Sequence, residues 1–188
     1  MLNTGVDEMK KKYYAWADVE AAANKIIVQM YKDKWHPDYV VGITRGGLPL
    51  ALLISHKLNI RMETLKVKLR DLQDGEACET NCWMADDAFG FVDDQETYKN
   101  RWDPSTRKNI LIVDDINDTG ATFNWIKDDW RKSCLPHEES WDTVWGKNVR
   151  FAVMTENAGS EFADVNYYWD EVNKSEEDVW LVYPYEAQ

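Results

Sequence analysis

Asp114 and Asp115 are adjacent carboxylates placed directly after an unbroken apolar run, Ile110, Leu111, Ile112 and Val113. Branched apolar residues without alternation are what a strand buried on both faces of a parallel sheet requires, so the two acids fall at its carboxyl end. Asp118, Thr119, Gly120, Ala121 and Thr122 follow, a run of small residues that predicts a tight turn opening a helix. The free backbone amides of such a turn, with the positive end of the helix behind them, suit a phosphate dianion. Two carboxylates beside an anion nest point to a phosphorylated sugar.

A second cluster lies upstream. The run Tyr39–Ile43 leads into Thr44, Arg45, Gly46 and Gly47. The glycines would let backbone amides close on a diphosphate, and Arg45 supplies a planar, permanently charged fork for its oxygens. The competing reading is a plain turn with a solvated arginine. Lys66, Lys68 and Arg70 alternate, so a strand would place all three on one face, either lining a diphosphate path or protecting a sheet edge.

These residues need elements to hold them. Val19, Ala22, Ala23, Ile26, Ile27 and Met30 recur at helical spacing between Asp18 and Met30. A helix is also predicted over about 48–58 and another over about 122–132. Strands are predicted at 39–43, 62–68, 110–113 and 149–155, with a terminal extended segment at 179–183. Strands alternating with helices give an α/β fold, a doubly wound, mostly parallel sheet flanked by helices. The stretch 69–108 is too long for an ordinary connection and reads as a flexible lid or inserted hairpin; 134–147 reads as a second irregular insertion.

The chain has 188 residues, 44% of them hydrophobic, enough for one substantial core and a single domain over 1–188. A net charge of -12 argues against polymeric nucleic acid and acidic membranes, which reward basic surfaces. Three cysteines form a sparse, odd set, and Cys78 and Cys82 without a matching pair are expected as free thiols rather than zinc ligands. Without an apolar signal core near the N-terminus or a run long enough to span a bilayer, a soluble, reducing, cytoplasmic setting is expected. His137 is expected at the surface.

The fourteen residues ILIVDDINDTGATF (110–123) resemble the phosphoribosyl pyrophosphate (PRPP) signature of the type I phosphoribosyltransferases. The segment 40–60 is similar to that family's pyrophosphate loop, and in particular to the bacterial xanthine-guanine phosphoribosyltransferases. A receiver-like α/β domain would also place acids at a strand end but leaves the Asp-Thr-Gly turn unexplained. The resemblance implies magnesium-dependent transfer of a 5-phosphoribosyl group from PRPP to a nucleobase, a purine in base salvage, with release of pyrophosphate. The alternative it leaves open is a PRPP-binding regulator of the same fold with little turnover.

The resemblance also implies roles. Asp114 and Asp115 would engage the ribose hydroxyls and Mg2+, Asp118 would share the proton near the base, and Thr119–Thr122 would hold the 5′-phosphate. Thr44, Arg45, Gly46 and Gly47, with Lys66, Lys68 and Arg70, would meet the pyrophosphate, Arg45 acting on the leaving group. The terminal segment 178–188 would bind the base, with the Trp180 ring over it and Leu181 backbone at its edge. Two departures stand out. Leu69 and Arg70 occupy the place of a Ser-Tyr pair common in the lid of relatives. Glu156 replaces a lysine that donates to the exocyclic oxygen of 6-oxopurines, which implies a preference for an amino-bearing edge. Relatives also imply a homo-oligomer, dimer or tetramer.

Overall fold

The computed structural model describes residues 10–69, 78–94, 99–134 and 140–186. Its centre is a five-stranded, all-parallel sheet. The strands are β2 (Tyr39–Thr44), β3 (Arg61–Lys66), β6 (Ile110–Asn117), β7 (Val149–Asn157) and β8 (Tyr167–Val172), in the order β3-β2-β6-β7-β8. The doubly wound expectation holds. From β2 the chain passes through α2 (Leu48–Leu58) to β3 on one side, and from β6 it proceeds through α4 (Ala121–Asp129) to β7 on the other. Strand order therefore reverses between β2 and β6, and in open parallel sheets the crevice beyond the carboxyl ends at such a switch is where ligands bind.

Strand alternation divides the core. Leu111 and Val113 face one layer with α1 (Trp16–Lys32) and α2, packing among Val19, Ala23, Ile26, Leu50 and Ile54. Ile110 and Ile112 face the other, with Phe123 and Ile126 of α4 and a cluster of large rings. Burial of each such aliphatic or aromatic side chain contributes about 1.5–3 kcal/mol. The tryptophans at this face are packing residues. Trp141 stacks on Trp145 at 5.2 Å, and Trp130 sits 5.6 Å from Trp145.

Three elements depart from the sequence expectations. Cys82–Phe89 within 69–108 is a helix, α3, whose Met84, Ala85, Ala88 and Phe89 are buried in the core rather than in an outlying lid. Beyond it β4 (Phe91–Asp94) and β5 (Lys99–Trp102) do pair as an antiparallel hairpin. Second, β8 adds an edge strand where none was predicted. Third, β1 (Lys10–Tyr13) pairs in parallel with β9 (Val179–Val182) as a separate two-stranded ribbon.

The thiol expectation needs correcting at one position. Cys82 is bonded to Cys134 in a disulfide, with Cα atoms 5.0 Å apart and 52 residues between them in sequence, while Cys78 is free. Sequence spacing draws the eye to Cys78 and Cys82. The packing of α3 against the π-helical turn Trp130–Cys134 instead brings the distant partner to hand. No helix among the described residues is long and apolar enough to cross a membrane. His137 and residues 70–77, including Arg70, lie outside the described residues.

Candidate functional site at the sheet switch point

The crevice beyond β2 and β6 opens into two adjoining cavities. One, of about 440 Å³, is lined by the whole run Asp114–Phe123 together with Val67, Lys68, Leu69, Lys174, Trp180, Leu181, Tyr183 and Glu186. The other, of about 900 Å³, contains Arg45 and Gly46 and shares Asp115, Trp180 and Glu186 with the first. The acid pair, the small-residue turn, the Arg-Gly loop and the terminal aromatic segment thus converge on one place.

Glycine is required where the loop and strand meet. A Cβ on Gly46 would lie 2.0 Å from Asp115 Oδ2, and one on Gly47 would lie 2.2 Å from the Val113 carbonyl oxygen. The Arg45 loop can therefore press against the acid pair only with bare backbone. Gly120 is constrained differently. It adopts φ +85°, and a Cβ there would meet the Phe162 amide at 2.5 Å. That left-handed residue ends the turn and caps α4, whose first residues, Ala121 and Thr122, line the 440 Å³ cavity.

Asp114 and Asp115 are strongly perturbed. Burial, and then the neighbouring Asp115 carboxylate, holds Asp114 well above the usual carboxylate range. Burial pushes Asp115 up to about 6, with the Ile116 amide opposing and Glu186 adding to the rise. Two oxygen-rich groups that resist ionising side by side are suited to a cation arriving with the ligand. Among the described residues no group of three or more His, Cys, Asp or Glu could enclose a metal by itself. Magnesium commonly uses only one or two carboxylates and takes its other ligands from substrate phosphates and water, so the pair fits that mode of binding.

Behind Asp115 stands a support that sequence reading missed. The Tyr183 hydroxyl lies 3.0 Å from Thr155 Oγ1 and 3.3 Å from the Asp115 carbonyl oxygen. Tyr14 stacks on Tyr183 at 5.1 Å and donates to Asp170 at 2.6 Å, and Lys12 also bonds Asp170. Through this chain of contacts the β1–β9 ribbon is fastened to the sheet, and with it Trp180, which leaves 53% of its surface exposed beside the site.

The other candidates divide. Lys68 lines the cavity, whereas Lys66 closes β3 and is absent from the lining of either cavity. The strand ends at Lys66, so its alternation does not carry the full basic stripe forward. Thr44 ends β2 without lining either of these two cavities, and Gly47 serves as the packing point described above. Glu156 also fails to reach the cavity lining: its Oε1 accepts from Asn117 Nδ2 at 2.8 Å. Strand alternation explains this, because Thr155 takes the face toward Tyr14 and Tyr183 and turns Glu156 to the other. Asn157, one residue on, is the connected group. It donates from Nδ2 to the Asp118 carbonyl at 2.9 Å and accepts from the Lys174 amide at 3.0 Å.

A family model described as the phosphoribosyl transferase domain matches residues 9–187. Among solved structures, a purine phosphoribosyltransferase from Pyrococcus horikoshii Ot3 aligns with TM-score 0.59 and 22% identity over 96% of each chain. The xanthine-guanine-hypoxanthine phosphoribosyltransferase of Helicobacter pylori aligns with TM-score 0.59 and 13% identity, over 94% of this chain and 92% of that one. A Neisseria gonorrhoeae protein solved with bound ppGpp aligns with TM-score 0.57 and 16% identity, over 96% and 91%. Likeness at these identities carries the fold.

Proposed function

The chain belongs to the phosphoribosyl transferase domain family, and from that premise we propose that it transfers the 5-phosphoribosyl group of PRPP to a purine base with magnesium, releasing pyrophosphate. The observation that carries this reading is the convergence of the Arg45–Gly46 loop on Asp115, within the same crevice as the Asp118–Thr122 turn and Trp180. Those three features match the three parts of such a reaction: a diphosphate, a sugar phosphate and a flat ring. Two of the structural relatives are named for purine substrates and the third carries a guanine nucleotide, which favours a purine acceptor.

In this reading the Thr119–Thr122 turn binds the 5′-phosphate through backbone amides and hydroxyls, at the positive end of α4. Asp114 and Asp115 hold the ribose hydroxyls and would also hold magnesium, which neutralises charge on the diphosphate when bound. Arg45 meets the diphosphate as its bond to the anomeric carbon breaks, when its charge grows, so this contact lowers the barrier more than it tightens binding. The carboxylates also favour a ribose that carries positive charge. Asp118 takes the proton that the ring nitrogen loses.

The test is pyrophosphate release from PRPP and magnesium across a panel of purine and pyrimidine bases. Release with at least one purine is expected. PRPP binding without release for any base would replace this reading with that of a sensor.

A further inference from the structure

We propose that Tyr183 is a positioning residue for Asp115: its hydroxyl holds the peptide to which the Asp115 carboxylate is itself bonded, and so sets that carboxylate for PRPP. This rests on PRPP occupying the crevice, as in the reading above. β6 pairs with β2 only as far as Val113, so Asp114 and Asp115 project beyond that ladder. The peptide between Asp115 and Ile116 is gripped at both ends instead. Its N–H donates to Asp115 Oδ1 at 2.8 Å, and its carbonyl accepts from the Tyr183 hydroxyl at 3.3 Å. The other carboxylate oxygen, Oδ2, lies so near Gly46 that a Cβ there would be 2.0 Å away. Turning the peptide therefore turns the carboxylate, and a carboxylate that turns meets the Arg45 loop.

The direction of the hydrogen bonds leaves Tyr183 a hydrogen for this task. A carboxylate only accepts, so the Tyr14 hydroxyl donates to Asp170, at 2.6 Å. Thr155 then donates to the Tyr14 oxygen at 3.2 Å. The one hydrogen on Tyr183 falls between two acceptors, Thr155 Oγ1 at 3.0 Å and the Asp115 carbonyl at 3.3 Å. Thr155 and Tyr183 are 0% and 2% exposed, so bulk water does not compete for these groups. Removing Thr155 as an acceptor, or freeing it from Tyr14 so that it donates to Tyr183 instead, leaves that hydrogen to Asp115.

Calorimetric titration of the full chain with PRPP and magnesium, beside KM for PRPP and for the base, separates positioning from packing. Y183F keeps its ring between Tyr14 and Tyr185, at 5.1 and 5.6 Å. It should raise the Kd and KM of PRPP by about 3- to 10-fold, the range of one neutral hydrogen bond, and KM of the base by less than about twofold. Y14F and T155V cut the same buried chain and should lower Tm, yet hold the PRPP Kd within about twofold of wild type. A packing role would move all three variants together. Wild-type PRPP affinity in Y183F, or equal weakening in all three, overturns the assignment while leaving PRPP binding intact. Should Y183F not fold, weakened PRPP binding in Y14F and T155V overturns it and retained binding upholds it. Wild type that binds PRPP without releasing pyrophosphate overturns transfer only, and the Kd values still decide for Tyr183. Wild type that binds no PRPP overturns both.

Discussion

The two ends of the crevice are built in opposite ways. At the end proposed for the phosphate, one continuous segment, Asp114–Thr122, supplies strand, acids, turn and helix start, and it meets distant chain closely at Gly46, Gly47 and Phe162. At the end proposed for the ring, Asp118, Asn157, Lys174, Trp180 and Tyr183 arrive from different strands and loops; hydrogen bonds tie Asn157 to Asp118 and Lys174, across 39 and 17 residues, and Tyr183 to Thr155 across 28. The first draws its acids, turn and helix start from one stretch of sequence. The second exists only once the sheet and the β1–β9 ribbon are assembled.

That contrast can be attacked from either end. The double variant D114N/D115N should lower pyrophosphate release by about 100-fold or more, because it removes charge at the reacting sugar itself. Its fold should survive, since the oxygens that accept from the Asp115 and Ile116 amides are retained in asparagine. Circular dichroism and a PRPP turnover assay check both halves, and full turnover would break the assignment of the phosphate end.

At the ring end N157A should act more gently and selectively. Losing the ties to Asp118 and Lys174 should raise KM for the base by about tenfold while changing KM for PRPP by less than about threefold. Equal rises in both constants would show that the two ends are not separable.

The smallest effect concerns stability. Burial pushes the Glu156 carboxyl up to about 7, from an ordinary 4.5, against a hydrogen bond from Asn117 and with help from Glu171. The folded protein therefore holds this proton more tightly than the unfolded chain does. The favourable contribution is complete below about pH 4.5 and is lost as pH rises through about 7. E156Q removes that loss and keeps an acceptor for Asn117. Its Tm should exceed that of wild type by about 2–5 °C at pH 8 and by less than about 1 °C at pH 4.5, read by thermal melts.

What could be read from sequence follows the same division. Ile110–Val113, the Asp-Thr-Gly turn and the periodic face of α1 announce themselves within a dozen residues, because strand burial, turn chemistry and helix spacing are local properties. The strand β8, YYWDEV, has no apolar run, since as an edge strand it buries only Tyr167 fully. Cys82–Phe89 hides its buried face in a polar stretch. Lys10–Tyr13, three lysines and a tyrosine, becomes a strand only because β9 offers it a hydrogen-bonding partner. Lys174 belongs to no motif, and only the fold brings it to 3.1 Å from Asp118. Glu156 misled because its alignment to a lysine position says nothing of which face of β7 it occupies.

The pairing of Lys10–Tyr13 with Val179–Val182 has a temporal corollary. Synthesis proceeds from the amino end, so the first strand must wait for nearly every other residue to emerge before its neighbour exists. On the proposed reading, the turn for the sugar phosphate is complete in the nascent polypeptide while the platform for the aromatic acceptor is still missing. Competence to join the two would then be the last property gained as the polypeptide matures.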